Sequence, residues 1–255
     1  MNVKTAVRTL ELFERFAIER RPIRLSELAA MLKAPISSCF QLIGTLQRLG
    51  YAYPLADKSY YPTKRMLRHA ELIATTDPVL TTLGPALATL RDRTGESVIV
   101  GTMSDGKAMI LDVLESPHII RYAARPGELR EIHASSLGKA LLGTMSPAER
   151  DACLPREPYV ALTPATITTR SQLDSDLAES EARGWYQSRS EGVSELHAIS
   201  APVHFAGDVL SISVAGPITR FLPHIDAHVE ALLATVRIIE SLHTHKRDAK
   251  QRARR

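Results

Sequence analysis

Three groups of residues in this 255-residue chain carry side chains at spacings that suit chemistry. The first lies in the run Pro35-Ile36-Ser37-Ser38-Cys39-Phe40-Gln41-Leu42-Ile43-Gly44-Thr45-Leu46-Gln47-Arg48-Leu49-Gly50. Wound as a helix, it sends Cys39, Leu42, Ile43, Leu46 and Leu49 to one side, and Ser37, Ser38, Gln41, Thr45 and Arg48 to the other. Short hydroxyl and amide side chains near a helix N-terminus suit base edges and phosphates in a DNA major groove. There a bidentate Gln–adenine contact discriminates by roughly 1–3 kcal/mol. Gly44 is also outward, and a missing side chain there lets the backbone approach a partner. An ordinary solvated helix face is the plain alternative.

The second group is Ser136-Leu137-Gly138-Lys139, which fits the S-x-x-K pattern of Ser-Lys acyl transferases. The companion S-D-N and K-T-G motifs are absent. A hydrolase or transferase using Ser136 and Lys139 is therefore the enzymatic alternative rather than the expectation. The third group is His224 and His228, four residues apart about Asp226, a spacing that could ligate zinc on one helix face. No third ligand lies nearby in sequence, so neither metal nor cofactor is expected. Arg121 and Arg125 could offer forks to a carboxylate, or point to solvent. His133 could orient a ligand-binding loop or sit satisfied in the core.

The elements that must position the first group form a winged helix-turn-helix. Val3, Ala6, Val7, Leu10, Phe13 and Ala17 fall on one face of a first helix, with Leu12 and Phe16 off that stripe. Ser26 is placed as the N-cap of a short helix buried through Leu28, Ala29 and Leu32. Pro35 fits the turn or the first turn of the next helix, and Gly50 is placed to end that helix in left-handed geometry. Tyr51, Tyr53, Tyr60 and Tyr61 suit paired strands, with Lys58 at the polar tip able to meet a phosphate.

Beyond residue 62 a connecting helix spans 63–76, whose Met66, Leu67, Leu72 and Ile73 could pack on a second subunit. A further α/β domain follows over 77–245. Its expected elements include hairpins about Asp105-Gly106 and Gly207, a short strand Ile119–Ala124, a small helix Leu137–Thr144 and a last helix from Pro223 to His243. Residues 246–255 read as a basic disordered tail. The fold class is thus α+β in two domains.

Charge divides with position. Residues 1–68 hold 12 Lys and Arg against 5 Asp and Glu, and 246–255 hold 6 against 1, while the remainder is net acidic. A basic first domain suits a partner made of phosphates. No apolar run approaches the roughly 20 residues a membrane span needs. Cys39 and Cys153 make neither a disulfide framework nor a metal spacing. A soluble cytoplasmic protein is expected.

Over nearly its whole length the chain resembles the IclR family of bacterial transcriptional regulators. The resemblance rests on Leu25-Ser26-Glu27-Leu28-Ala29, Pro35-Ile36-Ser37-Ser38 and Leu46-Gln47-Arg48-Leu49-Gly50 in the first domain. In the second it rests on Thr94-Gly95-Glu96-Ser97, His133 through Leu142, Ala201-Pro202-Val203 and Ile212 through Pro217. It implies a GAF-like effector-binding domain, and a homodimer or dimer of dimers on a palindromic double-stranded operator. It also implies a small organic effector, a carboxylate or aromatic acid, that modulates operator binding and leaves repression or activation open. The family's pocket positions fall on Ile119, Tyr122, Ser136, Leu137, Ser188, Leu196, Ala198 and Ser213. Departures at Ser188-Arg189-Ser190-Glu191, at Ala215 and at Gln41, where the family often carries arginine, mean that no relative's ligand or operator transfers. An architectural DNA-binding protein without a ligand is the remaining alternative.

Overall fold

The computed structural model describes the backbone of residues 3–252 and side chains through Leu242. It divides into two compact units, Met1–Asp77 and Pro78–Arg255.

In the first unit α1 (Lys4–Glu19), α2 (Leu25–Met31) and α3 (Ile36–Arg48) pack with a small antiparallel sheet of β1 (Ile23–Arg24), β2 (Ala52–Pro54) and β3 (Ser59–Pro62) in the order β1-β3-β2. Its core is Leu12, Phe16, Ile23, Leu28, Cys39, Ile43 and Leu46, and Phe16 meets Tyr61 edge-on at 5.9 Å. Helix α4 (Arg65–Ala74) follows. Arg65 Nη1 donates to the Leu49 carbonyl at 2.8 Å and the guanidinium lies over the Tyr51 ring. Gly50 adopts φ +75°, as the end of α3 requires.

Two expectations for this unit are corrected. The buried side of α1 is Leu12 and Phe16, whereas Val3, Val7 and Leu10 are exposed. Both stripes have helical period, and periodicity does not say which one faces the domain; the bulkier pair four residues apart fills the core. Ser26 is not the cap of α2. Arg24 holds that place, and its N–H donates to the Glu27 carboxylate at 3.0 Å.

The second unit is built on one six-stranded antiparallel sheet. Its strands are β4 (Ser97–Ser104), β5 (Lys107–Leu114), β6 (Leu129–Glu131), β7 (Tyr186–Arg189), β8 (Leu196–Phe205) and β9 (Asp208–Pro217), in the order β6-β5-β4-β9-β8-β7. Helix α5 (Pro78–Thr94) covers one face, where Leu83, Leu87 and Leu90 join Val98, Val100, Ile199, Ile212 and Val214. The other face carries the buried helix α6 (Ser136–Gly143), with α7 (Pro147–Cys153) and α8 (Arg170–Arg183) beyond it. Helix α9 (Ile218–Phe221) and the long α10 (Ile225–Arg252) complete the α5 side. This is the expected α+β, GAF-like arrangement. Left-handed Asp105-Gly106 and Ala206-Gly207 turn the two hairpins.

The expected strand Ile119–Ala124 is not formed. The Ile120 and Tyr122 carbonyls accept from Arg220 Nη1 and Ser97 Oγ, so side chains take the place of a ladder and the edge strand is β6. Arg220 also forks onto the buried Glu96 at 2.6 and 2.7 Å, tying α9 to the start of β4. Helix α10 continues to Arg252, so the backbone of the expected irregular tail is helical from Lys246 to there; residues 253–255 lie outside the described residues.

His197 of β8 is fully buried beside the Phe221 ring at 5.1 Å, with neither ring nitrogen hydrogen-bonded among the described residues. Burial first, then the charges of Arg189 and Arg183, hold its imidazole down to about 4. A depressed imidazole keeps the fold at full strength above its ordinary value and weakens it as pH falls from about 6.5 toward 4. Between pH 7 and pH 5 this residue should account for about 2 kcal/mol of lost stability. Urea unfolding of His197→Leu at the two pH values should show a drop smaller by about that amount; an unchanged drop would place the acid sensitivity elsewhere.

Candidate functional site

On α3 the side away from Cys39, Ile43 and Leu46 carries Ser37, Gln41, Thr45 and Arg48 exposed, with Ser38 half-buried. Thr45 Oγ1 donates to the Gln41 carbonyl at 2.8 Å and accepts from Arg48 Nη2 at 3.3 Å, so these two side chains are held together. Nothing lies within 4 Å of where a Cβ on Gly44 would be, so no internal packing demands glycine there. The wing tip is shaped by Asp57, whose carboxylate accepts from the Ser59 N–H and hydroxyl, holding it below the usual carboxylate range. Lys58 sits at the turn with φ +63° and is exposed. All six residues expected to meet DNA thus lie on α3 or the wing.

The second unit holds a cavity of about 70 Å³ between the sheet and α6. Tyr122, Ser136, Leu137, Ser188, Leu196, Ala198 and Ser213 line it, with Ile99, Ile110 and Ala215 adding apolar wall. Ile119 does not; it is 94% exposed on the loop before Tyr122. The physical reason is that loop's anchoring through its carbonyls, which leaves the Ile119 side chain pointing to solvent.

The floor of the cavity is a chain of hydroxyls. Ser200 Oγ donates to Ser136 Oγ at 2.8 Å, Ser136 and Ser213 are 3.3 Å apart, and Ser213 Oγ donates to the Ile199 carbonyl at 3.1 Å. With the Ser200 and Ser213 hydrogens committed, Ser136 is left as donor to Ser213 over the longest of the three contacts. Ser135 caps α6 by accepting from Gly138 N–H at 3.1 Å. The first N–H groups of α6 lie at the cavity, where a helix start favours an anion. On the wall Arg130 donates through Nε to the Tyr122 hydroxyl at 3.0 Å and through Nη2 to Glu128 at 2.6 Å. Sequence reasoning missed several lining residues, Arg130, Gly192 and Val193 among them. Nothing in the sequence singles out Arg130, since Glu131 beside it is charged as well and the edge position of β6 emerges only in the fold.

Beneath the cavity Lys139 of α6 is fully buried. Its Nζ lies 2.8 and 2.7 Å from the two Glu191 oxygens and 3.0 Å from Asp176 of α8. Burial pushes the Glu191 carboxyl up and Lys139 opposes the shift. The Glu191 carbonyl accepts from Thr166 Oγ1 at 2.6 Å, and Thr163 Oγ1 donates to the Ser190 carbonyl at 2.6 Å. The segment bearing Gly192 and Val193 is therefore fastened to α6 and to the 159–168 loop.

The Ser-Lys reading does not survive this geometry. Ser136 is bonded to serines and Lys139 to carboxylates, so the lysine is a paired cation rather than a base for the serine. His133 Nε2 is 3.0 Å from the Val160 carbonyl, and burial lowers its imidazole. His228 packs on Phe221 at 4.6 Å, and no cluster of three metal-ligating side chains occurs among the described residues. Arg121 pairs with Glu115 at 2.7 Å. No helix among the described residues is long and apolar enough to cross a membrane.

Comparison with known proteins follows these two units. The family described as IclR helix-turn-helix domain matches residues 5–55, and that described as bacterial transcriptional regulator IclR C-terminal matches residues 67–241. The transcriptional repressor IclR of Escherichia coli is 28% identical over 226 residues, covering 86% of this chain and 81% of its own length. The regulator BhcR of Paracoccus denitrificans is 26% identical over 255 residues, covering 98% and 91%. Among solved structures, an IclR family regulator from Brucella abortus superposes with TM-score 0.75 at 24% identity, covering 95% and 93%. An IclR homologue from Microbacterium hydrocarbonoxydans, solved with 4-hydroxybenzoate, has TM-score 0.72 at 19% identity, covering 93% and 99%.

The buried cation generates a test. Lys139→Met leaves Glu191 buried without its counter-charge and should cost about 3–5 kcal/mol. Adding Glu191→Leu should recover part of that loss, because the more deeply buried carboxylate is then replaced by an apolar group while Asp176 keeps some access to water. Chemical denaturation of the single and double variants measures both; a double variant weaker than the single would refute the pairing as the cause.

Proposed function

Because the chain belongs to the IclR family of bacterial transcriptional regulators, we propose that its first unit reads a palindromic operator through α3 and the wing, and that a small organic acid in the second unit's cavity adjusts that binding. The observation that carries the ligand half is the cavity floor. Ser136 spends its hydrogen on a 3.3 Å contact, so turning it onto a carboxylate gives up little, and the N–H groups at the start of α6 add to the pull. The apolar side walls of Ile99, Ile110, Leu137, Leu196 and Ala198 suit a short carbon skeleton. The cavity opens to the surface, and the Microbacterium homologue holds 4-hydroxybenzoate, which supports a carboxylate or aromatic acid as the guest.

Assembly and location belong to the same reading. Val3 just before α1 and Leu10 on it, and Met66 and Ile73 on α4, are exposed apolar residues seven apart on one face of each helix, which supports a homodimer or dimer of dimers. A cytoplasmic location follows from the DNA partner. The reading is a regulator and not an enzyme, and it leaves the sign of regulation to the promoter.

Two measurements test it. In a panel of aliphatic and aromatic carboxylic acids, one member should raise the melting temperature and shift operator affinity in the wild type. Ser136→Ala should lose both responses while keeping ligand-free operator affinity; loss of that affinity as well would assign Ser136 a folding role. On the DNA side, Gln41→Ala should relax preference at one base pair per half-site. Lys58→Ala should weaken all sequences alike and lower the slope of log affinity against log salt by about one unit. Unchanged base preference and unchanged slope would remove α3 and the wing from the interface.

A further inference from the structure

The outward side of α3 is not wholly polar. Phe40 is 61% exposed and Ile36, one turn before it, is 57% exposed. At 100° per residue Phe40 lies between the buried Ile43 and the exposed Ser37, and Gly44 lies one turn beyond it on the same side. A phenylalanine this exposed in the middle of a folded helix forgoes the burial its ring would otherwise gain. The unit's core is filled without it by Leu12, Phe16, Ile23, Leu28, Cys39, Ile43 and Leu46. No aromatic or cationic group is stacked on its ring among the described residues.

Its neighbours say what should cover it. Phe40 and Ile36 sit beside Ser37 and Gln41 in the N-terminal half of α3, the part that faces base edges when such a helix enters a major groove. The open space at Gly44 lets the helix backbone seat closely at the next turn. Residues 1–68 are strongly basic, which suits a phosphate-lined partner. The one apolar group that a major groove displays on a base edge is the thymine C5-methyl. We infer that Phe40, flanked by Ile36, reads thymine methyl groups, and so sets operator specificity beside Gln41. This rests on the DNA-reading role of α3 and adds to it a residue and a base.

The test uses the full-length protein and a duplex enriched by it from a randomised pool. Thymines are replaced one at a time by uracil, which removes only the methyl group. A methyl lost from an apolar contact corresponds to about a fourfold loss of affinity, expected at one or two positions in each half-site. In Phe40→Ala the thymine-to-uracil ratio at those positions should fall to about one, while the salt slope and the base preference due to Gln41 persist. Phe40→Leu, which keeps an apolar side chain, should retain part of the ratio, and circular dichroism melts establish that both variants fold. A wild type indifferent to every replacement, or a ratio that survives in Phe40→Ala, overturns the inference while leaving α3 as the DNA-reading helix. Loss of self-association by Phe40→Ala with the ratio intact assigns the face to a second copy of the chain and also overturns it. Failure of the pool to enrich any sequence sinks the DNA-reading role and this inference together.

Discussion

The second unit depends on a lysine with no access to water. Removing an ammonium from solvent costs several kcal/mol, and only close carboxylates can offset it. Lys139 finds two, Glu191 from the segment after β7 and Asp176 from α8, and both must come to α6 because α6 is buried along its length. An apolar residue would fill the same space without summoning partners. The cation instead specifies which loops lie against the helix, and Gly192 and Val193 of the cavity wall are carried into place by the segment it fastens. Small residues complete the approach: a side chain on Gly138 would meet the Ile132 backbone, and one on Gly143 the Tyr186 ring. The cavity's outer wall is thus a consequence of charge pairing one turn along α6 from the hydroxyl floor.

Much of this was legible in the chain. Asp105-Gly106 and Gly207 announce hairpins because few residues adopt positive φ cheaply, and Gly50 and Gly184 end helices for the same reason. The polar face of α3 follows from its period, since one side must be buried. What failed were choices that period and composition leave degenerate. The two stripes of α1 have the same spacing, and only the space between α2 and β3 decides for Leu12 and Phe16. The apolar run at Ile119 looks like a strand, but Ser97 and Arg220, distant in sequence, claim its carbonyls. Of the eight positions that the resemblance implies, seven line one cavity, and Ile119 lies on the exposed loop for that same reason.

The two sides of the sheet are held by different physics. Towards α5 and α10 the contacts are mainly apolar, with His197 and His228 packed on Phe221, and Glu96 and Arg220 close one end as a forked ion pair around which Gly216 leaves room. Towards α6 they are mixed, with serines 97, 200, 211 and 213 pointing inward and fully or nearly fully buried. Apolar packing resists displacement in every direction, whereas hydroxyls can exchange partners by rotation alone. The sheet therefore has a stiff side and a side that can answer a guest.

The order of the serine hydrogens has a consequence for what that answer is. Ser200 gives to Ser136, Ser136 to Ser213, and Ser213 to the Ile199 carbonyl, so the chain has a direction and ends in the backbone of β8. An acceptor placed in the cavity takes the Ser136 hydrogen and leaves Ser213 with one bond fewer; a donor can be received on a free lone pair with the chain unbroken. The floor thus registers the polarity of its guest before its shape. Two molecules of equal size, one an acid anion and the other an alcohol, would leave different signatures on the β8–β9 ladder.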